Sequence, residues 1–220
     1  SSNENFLVLG LGRSGMTSAR ALNSSGANVI CWDDDPEKRS LASSQGLRVI
    51  GSVSDFDWES IDRLIISPGV PHHFPVPHPI VSAAVSAGVL IDNDVGLFFQ
   101  SIATKSWDKF SVRPRIVAVT GSNGKSTTAS LLHHIFLKLG YKSQLAGNIG
   151  RGVLDIDPPE NNELLVLELS SYQIEVARIL SPDLAIFTNF SADHLERHGG
   201  IGGYLAAKRR LFTEGCPDYS

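Results

Sequence analysis

Several short stretches of this chain carry side chains suited to holding phosphate and metal. Gly10-Leu-Gly-Arg-Ser-Gly15 is a G-x-G-x-x-G run entered from the apolar stretch Phe6–Gly10. In a strand-turn-helix setting, Gly12, Arg13, Ser14 and Gly15 would offer bare backbone amides and a helix N-terminus to a pyrophosphate. Asp33, at the end of the next apolar run, is placed to meet a sugar or a base. On these residues alone, an NAD-dependent oxidoreductase and a tight turn without ligand both stand. Ser67-Pro-Gly-Val-Pro71 follows another apolar run. It is either a bare turn or, through Ser67 and Gly69, the second wall of a cleft for a nucleotide diphosphate.

The sharpest signal is Val119-Thr-Gly-Ser-Asn-Gly-Lys-Ser-Thr127. Successive N–H groups of such a loop wrap phosphates, Lys125 adds a point charge and the Ser126 hydroxyl can reach Mg²⁺. A strict Walker pattern has Gly where this chain has Val119, so the loop is a shortened relative of that motif. Glu168 interrupts the apolar run Leu165–Leu169, where an uncompensated carboxylate is costly. It is therefore either half of a buried salt bridge or a Mg²⁺ ligand, with something cationic facing it. The same reasoning applies to Asp193-His194, after another apolar run. The histidines at 72, 73, 78, 133, 134 and 198 read as solvated or core residues. Lys208, taken by itself, reads as a solvated helix lysine.

These motifs need a scaffold that brings loop ends together. Short apolar runs at 6–10, 28–33, 63–67 and 89–92 alternate with helix-length stretches, and the pattern restarts at 115–119, with strands expected near 141–146, 164–169 and 183–188. Such alternation predicts an α/β fold with parallel sheets covered on both faces and ligands at the carboxyl ends of the strands. The expected organisation is a Rossmann-like domain over 1–93, a linker over 94–114 and a P-loop-type α/β domain over 115–220. Helices are expected over 94–104, 125–139 and 203–213, and the five prolines of 68–79 call for an extended loop.

Composition narrows the function. Asp and Glu (23) outnumber Lys and Arg (19) for a net charge of −4, which argues against nucleic-acid binding through counterion release. The longest nearly apolar stretch, Ile80 to Ile91, is about half of the ~20 residues a membrane span needs, and the N-terminus has no secretion signal. Cys31 and Cys216 lack metal or disulfide spacing and read as packing residues of a cytoplasmic protein.

Taken together and in order, GLGRSG (10–15), SPGV (67–70), TGSNGKST (120–127), GNIG (147–150), LELSSYQIE (167–175), DHLERHG (193–199) and the Tyr204…Lys208 helix resemble the Mur ligase family, and within it the glutamate-adding branch. The resemblance implies a UDP-sugar in the first domain, with Gly12, Arg13, Ser14, Gly15, Ser67 and Gly69 around the diphosphate and Asp33 near the uracil. It implies ATP in the second, held by Gly121, Ser122, Asn123, Gly124, Lys125, Ser126, Thr127 and Thr128. Asn148 and Ser170 would touch the muramoyl substrate. Ser126, Glu168, His194 and a carbamylated Lys208 would ligate Mg²⁺, and Lys125, His194 and Lys208 would be the catalytic residues. The implied reaction joins D-glutamate to UDP-N-acetylmuramoyl-L-alanine through an acyl phosphate, in a monomer with no nucleic-acid or membrane partner. Another amino-acid-adding ligase, such as the alanine-adding one, is the close rival. Because that family has a longer central domain and a third, amino-acid-binding domain, the chain is expected to be its N-terminal portion and inactive alone.

Overall fold

The structure, a computed structural model, describes residues 4–52, 56–103 and 108–214. It divides into two compact units, Ser1–Asp94 and Val95–Ser220. In the first, β1 (Asn5–Leu9), β2 (Asn28–Trp32), β3 (Arg63–Ile66) and β4 (Leu90–Asp92) alternate with α1 (Arg13–Ser24), α2 (Pro36–Ser44) and α3 (Pro79–Ser86). The strands are all parallel in the order β2-β1-β3-β4, with Leu7 opposite both Ile30 and Leu64. Leu7, Val8, Leu64 and Ile65 are buried although their neighbours point to opposite faces, as expected of strands covered on both sides. Chain order reverses beside β1, so the loops after β1 and β3 part there and leave a crevice.

The second unit repeats the plan with β5 (Arg115–Thr120), β6 (Ser143–Gly147), β7 (Leu164–Glu168) and β8 (Leu184–Phe187), parallel in the order β6-β7-β5-β8. Its helices are α4 (Asp94–Ala103), α5 (Lys125–Lys138), α6 (Ser171–Val176) and α7 (Ile201–Thr213). The stretch expected as a linker opens with α4, whose Val95, Phe98, Phe99 and Ile102 share one apolar cluster with Ile116, Leu165, Leu167 and Leu211. The last helix begins at Ile201, two residues before the expected start, behind the left-handed pair Gly199 and Gly200. Over 68–78 the proline-rich stretch forms bends without helix or strand, as its fixed φ values require. No helix among the described residues is long and apolar enough to cross a membrane.

Local rules account for the helix starts. Asp35 accepts from Glu37 N and is followed by Pro36; His78 caps Ile80 N and is followed by Pro79. Ser170 and Gln173 form a reciprocal capping box at α6. Neither α1 nor α5 has a side-chain cap: their cap positions are Gly12 and Gly124. Their first turns present backbone amides at a helix N-terminus. Cys31 is buried in β2, and desolvation pushes its thiol up to about 12, which makes it the packing residue expected. Cys216 lies outside the described residues.

Candidate functional site

In the first unit, the loops after β1, β2 and β3 enclose a cavity of about 440 Å³. Of the residues predicted there, Gly12, Arg13, Ser14, Asp33, Ser67 and Gly69 line it. Gly15 lies behind the wall: a Cβ on it would sit 1.7 Å from Gly10 O, so only glycine lets α1 pack this close to the loop. Gly10 itself has φ 87, and Ser67 Oγ donates to its carbonyl at 2.7 Å, tying the two loops together. A Cβ on Gly12 or Gly69 would meet nothing within 4 Å, so their lack of a side chain keeps the cavity open.

Asp33 does more positioning than sequence reasoning foresaw. Its Oδ2 accepts from Leu11 N at 2.6 Å and its Oδ1 from Asp35 N at 2.9 Å, so one carboxylate shapes both the glycine loop and the turn after β2. Lys38 Nζ stands 3.7 Å away. The wall also includes Asp34, which carried no expected role, and His78, which was expected to be a solvated or core histidine. His78 Nδ1 accepts from Ile80 N, which leaves the ring proton on Nε2, 2.9 Å from Asp34 Oδ2. That hydrogen bond is the main reason the Asp34 carboxyl lies below its ordinary range. The cavity thus offers cations and bare amides at one side and an ionised carboxylate at another, the polarity a nucleoside diphosphate needs.

In the second unit the loops after β5, β7, and β8 meet. Gly121 has φ 142, and a Cβ on it would lie 2.0 Å from Thr188 Oγ1. The loop is stapled to the segment after β8. Ser122 N donates to Asn189 O at 2.9 Å, Asn123 N to Asn189 Oδ1 at 3.0 Å, and Thr188 Oγ1 to Asn123 O at 2.7 Å. Ser122 Oγ donates to Ser191 O and accepts from Ser191 N, with the Tyr204 hydroxyl 3.1 Å away. The Ser122 hydroxyl therefore holds the loop rather than reaching outward. Asn123, Gly124, Ser126 and Thr127 are exposed, and Thr128 N closes the first turn of α5 on Gly124 O. Lys125 Nζ lies back across the loop on Ser122 O at 2.8 Å.

Glu168 is 1% exposed at the end of β7. Ser126 Oγ donates to its Oε2 at 2.9 Å, and Asn148 Nδ2 approaches Oε1 at 3.4 Å. Among the described residues no side-chain cation lies within salt-bridge distance of it. Gly147 makes the Asn148 approach possible, since a Cβ there would lie 2.1 Å from Glu168 O. A buried carboxylate beside a hydroxyl, next to a phosphate-type loop, is a hard-oxygen donor set that fits Mg²⁺.

Lys208 is not the solvated helix lysine its isolated sequence suggests. It is 1% exposed, donates to Gly121 O at 2.8 Å and stands 4.7 Å from the centre of the Tyr204 ring. Burial and then the charge of Lys125 push its pKa down to about 8. His194 is placed differently from Glu168, Ser126 and Lys208. It is half exposed, with its ring 5.1 Å from Tyr172 and its Nε2 3.4 Å from Asp193 Oδ2. Its φ of 51 lies in the left-handed region, uncommon for non-glycine residues although histidine is among the types enriched there. Among the described residues no three His, Cys, Asp or Glu side chains gather at one point. The Ser170 hydroxyl is engaged in its own capping box. Thr188, Asn189 and Ser191 carried no expected role. Their only signal is a polar Thr-Asn-x-Ser run directly after an apolar strand.

Comparison with known proteins adds independent observations. Residues 119–219 match the Mur ligase middle domain. The chain is 60% identical over 213 residues to a Roseobacter denitrificans UDP-N-acetylmuramoylalanine--D-glutamate ligase, covering 96% of this chain and 46% of that protein. It is 57% identical over 217 residues to the ligase of the same name from Dinoroseobacter shibae, covering 99% and 47% respectively. The chain thus spans about half the length of these relatives. Among solved structures, a Neisseria meningitides UDP-N-acetylmuramate:L-alanyl-gamma-D-glutamyl-meso-diaminopimelate ligase superposes with a TM-score of 0.55 over 94% of this chain and 67% of its own, at 17% identity, a likeness of fold.

Proposed function

We propose that the chain, whose residues 119–219 match the Mur ligase middle domain, belongs to the Mur ligase family and holds a UDP-linked sugar in its first unit and ATP in its second. On this reading it is part of a ligase that adds D-glutamate to UDP-N-acetylmuramoyl-L-alanine. The observation that carries the proposal is the loop 120–127 opening α5 beside the buried Glu168, with Ser126 Oγ 2.9 Å from the carboxylate. The domain division 1–93, 94–114 and 115–220 belongs to the same proposal, as do action as a monomer in the cytoplasm and the absence of nucleic-acid and membrane partners.

The L-alanyl carboxylate attacks the γ-phosphorus of ATP, ADP leaves, and an acyl phosphate forms. The amine of D-glutamate then attacks the acyl carbon, and inorganic phosphate and a proton are released. A carboxylate is a poor electrophile, so phosphorylation installs its leaving group. The chain's part is to align two anions that repel. The free amides at the start of α5 cradle the phosphates, and Lys125 swings from Ser122 O onto them. Ser126 and Glu168 would hold Mg²⁺, with His194 and Lys208 as the further candidate ligands; when bound, the ion would offset phosphate charge. Lys208 would serve as a carbamate, formed as its neutral amine adds to CO₂ and loses a proton. Its lowered pKa supports this, since it raises the neutral fraction near pH 8. In the first unit, Arg13, Lys38 and the amides after Gly12 face the diphosphate, and Asp33 holds the loop that contacts the base. Asn148 and Ser170 are proposed to face the muramoyl group.

Calorimetric titration of the chain tests the reading. Binding of ATP that vanishes in Lys125→Ala, together with binding of UDP-N-acetylmuramoyl-L-alanine that survives in that variant, is the expected result. Tight binding of NAD with no response to the UDP-sugar would overturn it.

A further inference from the structure

We propose that His198 is a positioning residue of the nucleotide site, setting where α7 lies and thereby where Tyr204 and Lys208 meet the phosphate loop. The inference rests on the assignment of that loop to ATP. His198 is 3% exposed, and both of its ring nitrogens face polar atoms of α6. Nε2 lies 2.9 Å from Ser171 Oγ. Nδ1 lies 2.9 Å from Glu175 Oε2, a close contact that misses the angle of a hydrogen bond. Its ring stacks on Tyr172 at 5.2 Å with an interplanar angle of 13°. The residue is therefore fixed against α6 by two atoms and one face.

The same residue bears on α7 twice. A Cβ on Gly203 would lie 1.9 Å from His198 O, so the first turn of α7 runs in direct contact with the His198 backbone. The Tyr204 ring packs 5.4 Å from the imidazole. One residue further into the site, the Tyr204 hydroxyl reaches Ser122 Oγ, and its ring lies beneath Lys208 Nζ, which donates to Gly121 O. A displaced imidazole cannot leave α7 where it is, because backbone and ring both abut it. Any shift moves two contacts of the phosphate loop at once. A buried imidazole that only filled space would need neither nitrogen; here Nε2 has a hydrogen-bond partner and Nδ1 a carboxylate oxygen 2.9 Å away.

The test uses two ligands on one chain, ADP for the second unit and UDP for the first, each titrated calorimetrically. His198→Phe, which keeps a ring but no nitrogen, is expected to weaken ADP binding about tenfold while UDP binding stays unchanged. His198→Gln, whose amide can reach Ser171 as Nε2 does, is expected to recover most of that loss. His198→Asn, which reaches only toward Glu175, is not. ADP affinity within twofold of wild type in His198→Phe, alongside its loss in Lys125→Ala, overturns the proposal and leaves the ATP assignment standing. Intact ADP binding in Lys125→Ala overturns both. If His198→Phe also lowers the melting temperature of the second unit, so that its ADP loss reflects unfolding, Ser171→Ala decides. A severalfold loss of ADP affinity in that variant supports the positioning role, and none overturns it.

Discussion

Lys208 brings together burial, charge and chemistry in one side chain. Its ammonium is buried against Gly121 O and an aromatic ring, with Lys125 close enough to disfavour a second positive charge. A pKa of about 8 in the fold against 10.5 outside it means that the unfolded chain binds more protons between those values. Lys208 therefore makes stability rise with pH across that window and depresses it fully below pH 8. The melting temperature of the wild type, measured relative to Lys208→Met, should climb from pH 8 to pH 10; a flat difference would show that the amine is not held in this way. Gly15 is the steric counterpart at the other site. Gly15→Ala drives a methyl to 1.7 Å from Gly10 O and is expected to cost about 2 kcal/mol or more in urea denaturation, with loss of UDP binding.

At the scale of elements, the second site depends on how α6 and α7 are tied down. Helix α6 is short, and its stability comes from its ends. Its N-terminus carries the Ser170–Gln173 capping box. At its C-terminus, Arg210 of α7 donates to Ile174 O at 2.8 Å and Ala177 O at 2.9 Å, satisfying carbonyls that a helix end leaves open. Arg210→Met keeps the aliphatic stem and removes these bonds, and should cost about 2 kcal/mol in urea denaturation monitored on the second unit. A loss below a few tenths would mean that water replaces the guanidinium at no cost. In the first unit the corresponding device is Asp33, which fastens two loops through backbone amides. Asp33→Asn keeps the shape but replaces one accepting oxygen by an NH2 group that cannot accept, so one of the two bonds is lost, and it should lower UDP affinity while leaving ADP affinity unchanged.

At the scale of the whole molecule, two units with separate sheets and cores give each ligand its own stability account. In differential scanning calorimetry, UDP at a hundred times its Kd should stabilise the first unit by about 2.7 kcal/mol and ADP likewise the second, so the two ligands should shift different parts of the transition. A single transition moved equally by either would contradict this. Much of that architecture was legible in one dimension. Apolar runs such as Ile116–Val119 and Leu165–Leu167, followed by Thr120 and Glu168, point to buried parallel strands, because they are short and their hydrophobicity does not alternate. Glycine spacing likewise announced the two loops, since backbone that touches phosphate or another backbone cannot carry a Cβ. What no spacing could reveal was where distant side chains meet. Lys208 looked solvated until α7 folded beneath Gly121, and His198, Tyr204 and Asn189 acquired roles only through partners tens of residues away. His78 and Asp34, 44 positions apart, form one wall of the first cavity. The sequence by itself determined the strands and the loops, because these follow from local period and backbone sterics. Only the tertiary structure decided burial, protonation and which side chains support the loops, because these depend on long-range packing and the loss of water around each group.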